Sequence, residues 1–191
     1  MSKKFLLLPI IALALVAFNA ATSTWKLDTA HSYLGFSIGH LSVSEIKGSV
    51  VMTEATITST SEDFSDAVVS MKADMNTIDT DNEKRDAHLK TADFFDTAKF
   101  PELTFQSTSV KKTGADKYVI KGNLTMHGIT KEITLDATTK SGTNPNNNKP
   151  ITGMKITGSI NRLDFDISKS APEEVLSNAV AIEANLELGK E

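Results

Sequence analysis

The chain has 191 residues, with 20 basic against 24 acidic side chains and no cysteine. That length encloses a hydrophobic core without covalent staples. The composition excludes a disulfide framework, a thiolate metal site, a cysteine nucleophile and a lipidated cysteine, and an acidic chain offers no basic face for nucleic acid.

The first segment differs from the rest. Lys3 and Lys4 precede an apolar run from Phe5 to Phe18, broken by Pro9 and followed by Asn-Ala-Ala-Thr-Ser-Thr. The run is shorter than the ~20 residues of a membrane span, and no second apolar block follows it. Residues 1–21 therefore read as a secretory signal peptide cut near Ala20 or Ala21, with an uncleaved anchor as the competing reading. Without Lys3 and Lys4 the remainder holds 18 basic against 24 acidic residues, a formal charge of −6. This pattern predicts an exported bacterial protein, periplasmic or secreted, with residues 22–191 as a single domain and no stable membrane span after cleavage.

From there on apolar residues recur with a period of two, the mark of half-buried strands. Leu34, Phe36, Ile38 and His40 share one face; a second strand runs near 48–58; Val69, Met71, Ala73 and Met75 form a third. Leu103 and Phe105 belong to the next, then Tyr118, Ile120, Gly122, Leu124 and Met126, then Ile133, Leu135 and Ala137. Met154, Ile156, Gly158 and Ile160 precede a last run from Val180 to Leu188, which makes eight strands. The connections at 111–117 and 140–150 are short and polar, as antiparallel neighbours require. The fold class is all-β, and eight sequential antiparallel strands point to a closed barrel, which removes exposed edges; a two-sheet sandwich has the same periodicity.

Two stretches interrupt the rhythm. At 80–83, Thr-Asp-Asn-Glu has the form of a capping box, and Arg85, His88, Leu89 and Ala92 follow at helical spacing on one face, predicting a short helix. The segment 168–180 predicts a loop with one helical turn around Pro172–Leu176.

Four ordered blocks then carry a resemblance: TWKLDTAHSYLGFSIGHLSVSEIKGSV (24–50), NTIDTDNEKRDAHLKTADFFDTAKFPELTFQSTSV (76–110), YVIKGNLTMHGITKEITLDA (118–137) and GSINRLDFDIS (158–168). From Trp25 to about Leu188 the chain resembles the YceI-like family. The resemblance implies an extended, lipocalin-like antiparallel barrel whose apolar pore holds a polyisoprenoid or related long-chain lipid, an isoprenoid quinone or fatty-acyl chain among them. It implies neither catalytic activity nor a metal, and no cofactor beyond the bound lipid.

An eight-stranded barrel either packs solid or holds one slender ligand. The expected pore lining is Leu34, Phe36, Ile38, Met71, Met75, Phe94, Phe95, Phe105, Leu124, Met126, Ile156 and Phe165, with thioethers fitting an irregular channel and small residues such as Gly35 or Gly39, Ala73, Gly122, Gly158 and Ala184 leaving room. Strands of about eight to ten residues at a tilt near 40° give ~20–25 Å of barrel height. Arg85–Pro101 is expected to cross one mouth, with Arg85, His88 and His31 as polar candidates for a head group. Arg85 paired with Asp28, Asp86 or Asp93, as a simple lock on the loop, is the alternative.

The histidines show no metal-ligand spacing, and Ser32 beside His31 points to the opposite face of a strand, so no catalytic pair forms there. His31 and Ser32 instead read as hydrogen-bonding residues at the start of the first strand, and His127 as part of a hairpin turn with Gly128. The principal expectation is a non-enzymatic lipid carrier or store, with homodimerisation open. A small hydrolase or isomerase using His31 or His88 with Arg85, and a filled barrel acting as a scaffold, are the two alternatives.

Overall fold

Each predicted alternation forms a strand in the computed structural model, which describes residues 21–191. The strands are β1 (Ser23–Leu27), β2 (Tyr33–His40), β3 (Ser44–Ser59), β4 (Val68–Asp79), β5 (Glu102–Lys112), β6 (Lys117–Met126), β7 (Ile129–Thr143), β8 (Pro150–Asn161) and β9 (Leu176–Lys190), with one helix, α1 (Glu83–Leu89). All pairings are antiparallel, in the order β3-β2-β9-β8-β7-β6-β5-β4, and β4 pairs back onto β3, so the sheet closes. Closure decides for the barrel over the sandwich. The proposed signal segment lies outside the described residues, and among these no helix is long and apolar enough to cross a membrane.

Nine strands make an eight-position barrel because β1 and β2 are two pieces of one stave. Both lie between β3 and β9: Trp25 is opposite Ile57 and Lys190, while Leu34 is opposite Val50 and Ala184. The break between them holds a single 3-10 turn, Thr29–His31, capped by Asp28, whose carboxylate accepts the Ala30 N–H. The break is tied to the neighbouring strand. Asp28 donates its N–H to the Glu187 carbonyl, and Ser32 Oγ accepts the Glu187 N–H, so the ladder positions on β9 stay satisfied across the gap.

The staves are longer than expected. β3 has 16 residues and β7 and β9 have 15 each, because β3 pairs with three partners and β7–β9 extend past the shorter strands. Two of the small inward residues do not leave the room expected of them, whereas Ala184 does face the barrel interior. A Cβ on Gly122 would collide with the Phe105 ring, and one on Gly158 with Leu135, so each glycine is the berth of a large side chain on the adjacent strand. Gly35 and Gly39 face away from the inward Leu34, Phe36 and Ile38; the Tyr33 ring covers Gly35.

Chain direction assigns the two ends. At one end the β3–β4 connection folds inward: Phe64 is buried, its ring meets Trp25 edge to face at 5.3 Å, and the Tyr118 hydroxyl donates to the Asp63 carbonyl at 2.7 Å. Asp66 accepts from the Ser59 and Thr60 hydroxyls and from the Thr60 and Ser61 amides, fixing that loop as a floor. The other end receives the two long connections, β4–β5 with α1 and β8–β9, together with the tight β2–β3 and β6–β7 turns. In the β6–β7 turn His127 and Gly128 both have positive φ, 53° and 73°, as a tight hairpin requires. His127 Nδ1 donates to the Phe165 carbonyl at 2.9 Å and its ring meets Phe100 at 5.1 Å, so this turn fastens both long connections.

The N-cap of α1 lies two residues later than in the capping-box reading. Asn82, not Thr80, is the N-cap and accepts the Arg85 N–H at 3.0 Å. Ala92 lies beyond the helix, in the turns that follow Leu89. One turn does form at Pro172, whose carbonyl accepts the N–H groups of Val175 and Leu176.

Candidate ligand cavity

Inside the barrel, between the floor and the opposite end, runs a cavity of about 400 Å³. That is within the range of sites that enclose small organic ligands. It contradicts the filled-barrel alternative, because side chains from eight staves do not meet across the axis. Leu34, Phe36, Ile38, Met71, Met75, Phe105, Leu124, Met126 and Ile156 line it, and Phe94 and Phe95 reach it from the segment after α1.

Its polarity is arranged along the axis. The lining residues with polar side chains are His40, Thr80, Arg85, His88, Arg162 and Ser168. All six belong to the ends of β2, β4 and β8 or to the connections beyond them, so all lie at one end of the barrel. Toward the floor the lining is aliphatic and aromatic, with Ala55, Ile57, Val69, Ile120 and Leu186 deepest by strand position.

Arg85 is positioned through Thr80. Its Nε donates to Thr80 Oγ1 at 2.7 Å and its Nη2 to the Thr80 carbonyl at 2.6 Å, while the Thr80 hydroxyl donates to Asp86 at 2.5 Å. The alternative pairing of Arg85 with Asp28, Asp86 or Asp93 is absent among the described residues: Asp86 acts on it only through the threonine, and Asp93 sits 3.4 Å from His88. Among the described residues Nη1 makes no hydrogen bond, which leaves one edge of the fork available to an acceptor in the cavity. His88, at the rim, is exposed and meets the Phe94 ring edge to face at 4.9 Å.

Arg162, like Thr80 and Ser168, is a lining residue that sequence reading missed. It is 2 % exposed, and its guanidinium donates to five backbone carbonyls, those of Ser177, Ile167, Ser168, Ala171 and Leu176, at 2.5–3.1 Å. Burial pushes its pKa down from the usual guanidinium value, with Glu173 opposing, and the group stays charged at neutral pH. Five donors in a planar fork are what gather the 162–177 connection around one point. No strand periodicity reports this, because every acceptor is main chain from later in sequence.

Two sequence-predicted residues lie elsewhere. Phe165 is buried in the hydrophobic core but does not line the cavity; it ends the short 3-10 turn Arg162–Phe165 that follows β8. His31 is on the outer surface in the β1–β2 break, where its ring bonds Asp28 at 3.0 Å. That bond raises the His31 pKa and, in return, lowers that of Asp28. With Glu187 these two place ligand-type atoms within 4.8 Å of one another, a cluster with only His31 exposed, whose histidine and aspartate already serve the break. His31 and Arg85 do not share a site, so the His31 form of the hydrolase alternative has no geometry to act through.

Comparison with known proteins agrees with this architecture. The family model described as YceI-like domain matches residues 25–188. Protein YceI of Salmonella newport is 36 % identical over 171 residues, covering 88 % of each chain. The crystal structure of the Campylobacter jejuni YCEI protein superposes with a TM-score of 0.70 at 28 % identity, covering 86 % of this chain and 96 % of that one. A polyisoprenoid binding domain from Saccharophagus degradans, at 14 % identity and a TM-score of 0.62, covers 87 % of this chain and 98 % of its own; it shares the fold. Closed barrel, apolar cavity and matching sequence over nearly the whole described chain together make this protein a member of the YceI-like family.

Proposed function

We propose that the protein is a non-enzymatic, exported carrier or store for one long-chain amphiphile, a polyisoprenoid or a related isoprenoid-quinone or acyl lipid, held tail-first in the barrel. The observation that carries this reading is the axial segregation of the cavity: apolar to the floor, with every polar lining side chain at the mouth. An entirely apolar ligand has no use for Arg85, and a polar one gains nothing from a lining of Ile57, Val69 and Ile120. The polyisoprenoid binding of the Saccharophagus domain, which has the same fold, supports the choice of tail.

Burial supplies the affinity. At ~25 cal/mol per Å², covering about 300 Å² of tail contributes roughly 7 kcal/mol before ordering costs. Arg85 adds orientation, since a fork anchored at Thr80 presents Nη1 donors to a phosphate, carboxylate or carbonyl oxygen. Purification from a bacterial periplasm, organic extraction and mass spectrometry test the proposal. A stoichiometric long-chain species is expected; a protein that is empty and whose mass and stability do not change on adding polyprenyl or fatty-acyl lipids overturns it.

A further inference from the structure

The mouth carries apolar side chains on its outside as well. Of the six large hydrophobic residues exposed among the described residues, three lie at this end: Leu41 at 51 %, Val43 at 84 % and Val175 at 42 %. They belong to two connections that are bound together, through Leu41 N–H to the Val175 carbonyl at 3.0 Å and Ser42 Oγ to the Glu174 carbonyl at 3.4 Å. Val175 also lines the cavity, so the exposed apolar surface and the cavity wall are continuous at that residue.

Neither folding nor turn chemistry explains the β2–β3 turn. Leu41 and Ser42 both have positive φ, 51° and 56°, in a tight hairpin where Asn-Gly or Asp-Gly is the low-strain choice. A leucine there carries backbone strain and buries little of its own side chain in return.

We propose that this rim, Leu41, Val43 and Val175, docks on a zwitterionic lipid bilayer and sets the cavity mouth against the membrane surface for ligand exchange. The inference rests on the tail-first reading above: a long apolar chain that passes between bilayer and cavity at a docked mouth avoids exposure to water. Charge selects the surface. On the two long connections of this end the exposed acids Asp81, Glu83, Asp93, Asp164, Asp166, Glu173 and Glu174 outnumber the exposed lysines Lys84, Lys99 and Lys169, so anionic lipid is repelled and apolar insertion supplies the attachment.

The test compares the wild-type protein with the double variant Leu41→Asn, Val43→Thr, neither residue being part of the cavity lining. Asparagine tolerates the left-handed backbone, so the thermal midpoint is expected to hold or rise. Flotation with phosphatidylcholine vesicles should fall at least about tenfold in the variant. The rate of transfer of a fluorescent long-chain fatty acid from those vesicles should fall with it, while equilibrium binding of the same probe without vesicles is unchanged. Adding phosphatidylglycerol should weaken flotation at low salt. Equal flotation of the two proteins, stronger flotation on anionic vesicles, or a loss of self-association rather than of vesicle binding overturns the docking surface, the last in favour of a second copy. Failure of both proteins to bind the probe without vesicles overturns the cavity reading instead.

Discussion

The two ends of the barrel share the same staves and differ in what crosses them. At the floor, an aromatic plug and a carboxylate with four local donors close the end: Phe64 packs on Trp25, and Asp66 gathers Ser59, Thr60 and Ser61. At the mouth, two guanidinium groups, one tied to a threonine and one to five carbonyls, order the longer connections beside the polar end of the cavity. An end filled by rings is sealed by burial, whereas an end organised by cations through neutral oxygens is ordered without being filled. The second arrangement keeps positive charge beside the cavity with no carboxylate within 4.0 Å of either arginine among the described residues.

The contrast can be broken from either side. The largest effect is expected for Arg162→Lys, because three donors replace five at a buried point: a loss of about 3–5 kcal/mol in chemical denaturation, with the floor otherwise unchanged. Phe64→Ala should cost about 3–4 kcal/mol and open the floor to solvent, seen as a red shift of Trp25, the only tryptophan. A smaller effect separates walls from mouth. Phe105→Ala should change retention of a neutral polyprenol about tenfold, Met75→Ala somewhat less, and Arg85→Ala under about threefold; with a phosphate head group the Arg85 variant should also lose about tenfold. Equal retention across the three variants for both ligands would sink the axial arrangement.

The smallest prediction concerns pH. Hydrogen bonds from Ser59, then Thr60, hold the Asp66 pKa far below its ordinary 3.8, and Lys112 holds that of Asp63 at about 2. Both folded-state values are depressed, so their stabilisation is present above the unfolded value near 3.8 and is lost as pH falls toward about 2 and below. Trp25 emission should therefore shift within that window in the wild-type protein, before the far-ultraviolet signal of the barrel changes. An Asp66→Asn variant should show the shifted emission at neutral pH.

Sequence periodicity recovered the staves because one face of each is buried and the side-chain period is two. It did not find β1, since five residues hold too few alternations and its partner in the stave begins only after a turn. Most of the wall lining was legible for the same reason as the strands. The floor was not: Phe64 sits in a polar stretch whose inward fold depends on Asp66 and Trp25, residues that the pattern does not connect. Arg85 and His88 were legible as mouth residues from their place after β4, whereas His31, on the interrupted stave, faces outward to Asp28. Arg162 was missed because main-chain acceptors carry no sequence signature, and the inward glycines misled because space beside a glycine is taken by the neighbour across the ladder.

In the proposed complex a long apolar chain lies along the barrel axis with its end at the floor. The most direct measurement is photocrosslinking with a long-chain fatty acid bearing a terminal diazirine, at equimolar ratio, followed by peptide mapping. Adducts on Ala55, Ile57, Val69 and Ile120 are the expected result. Adducts confined to the outer wall, at Tyr33, Val51 or Val68, would contradict it.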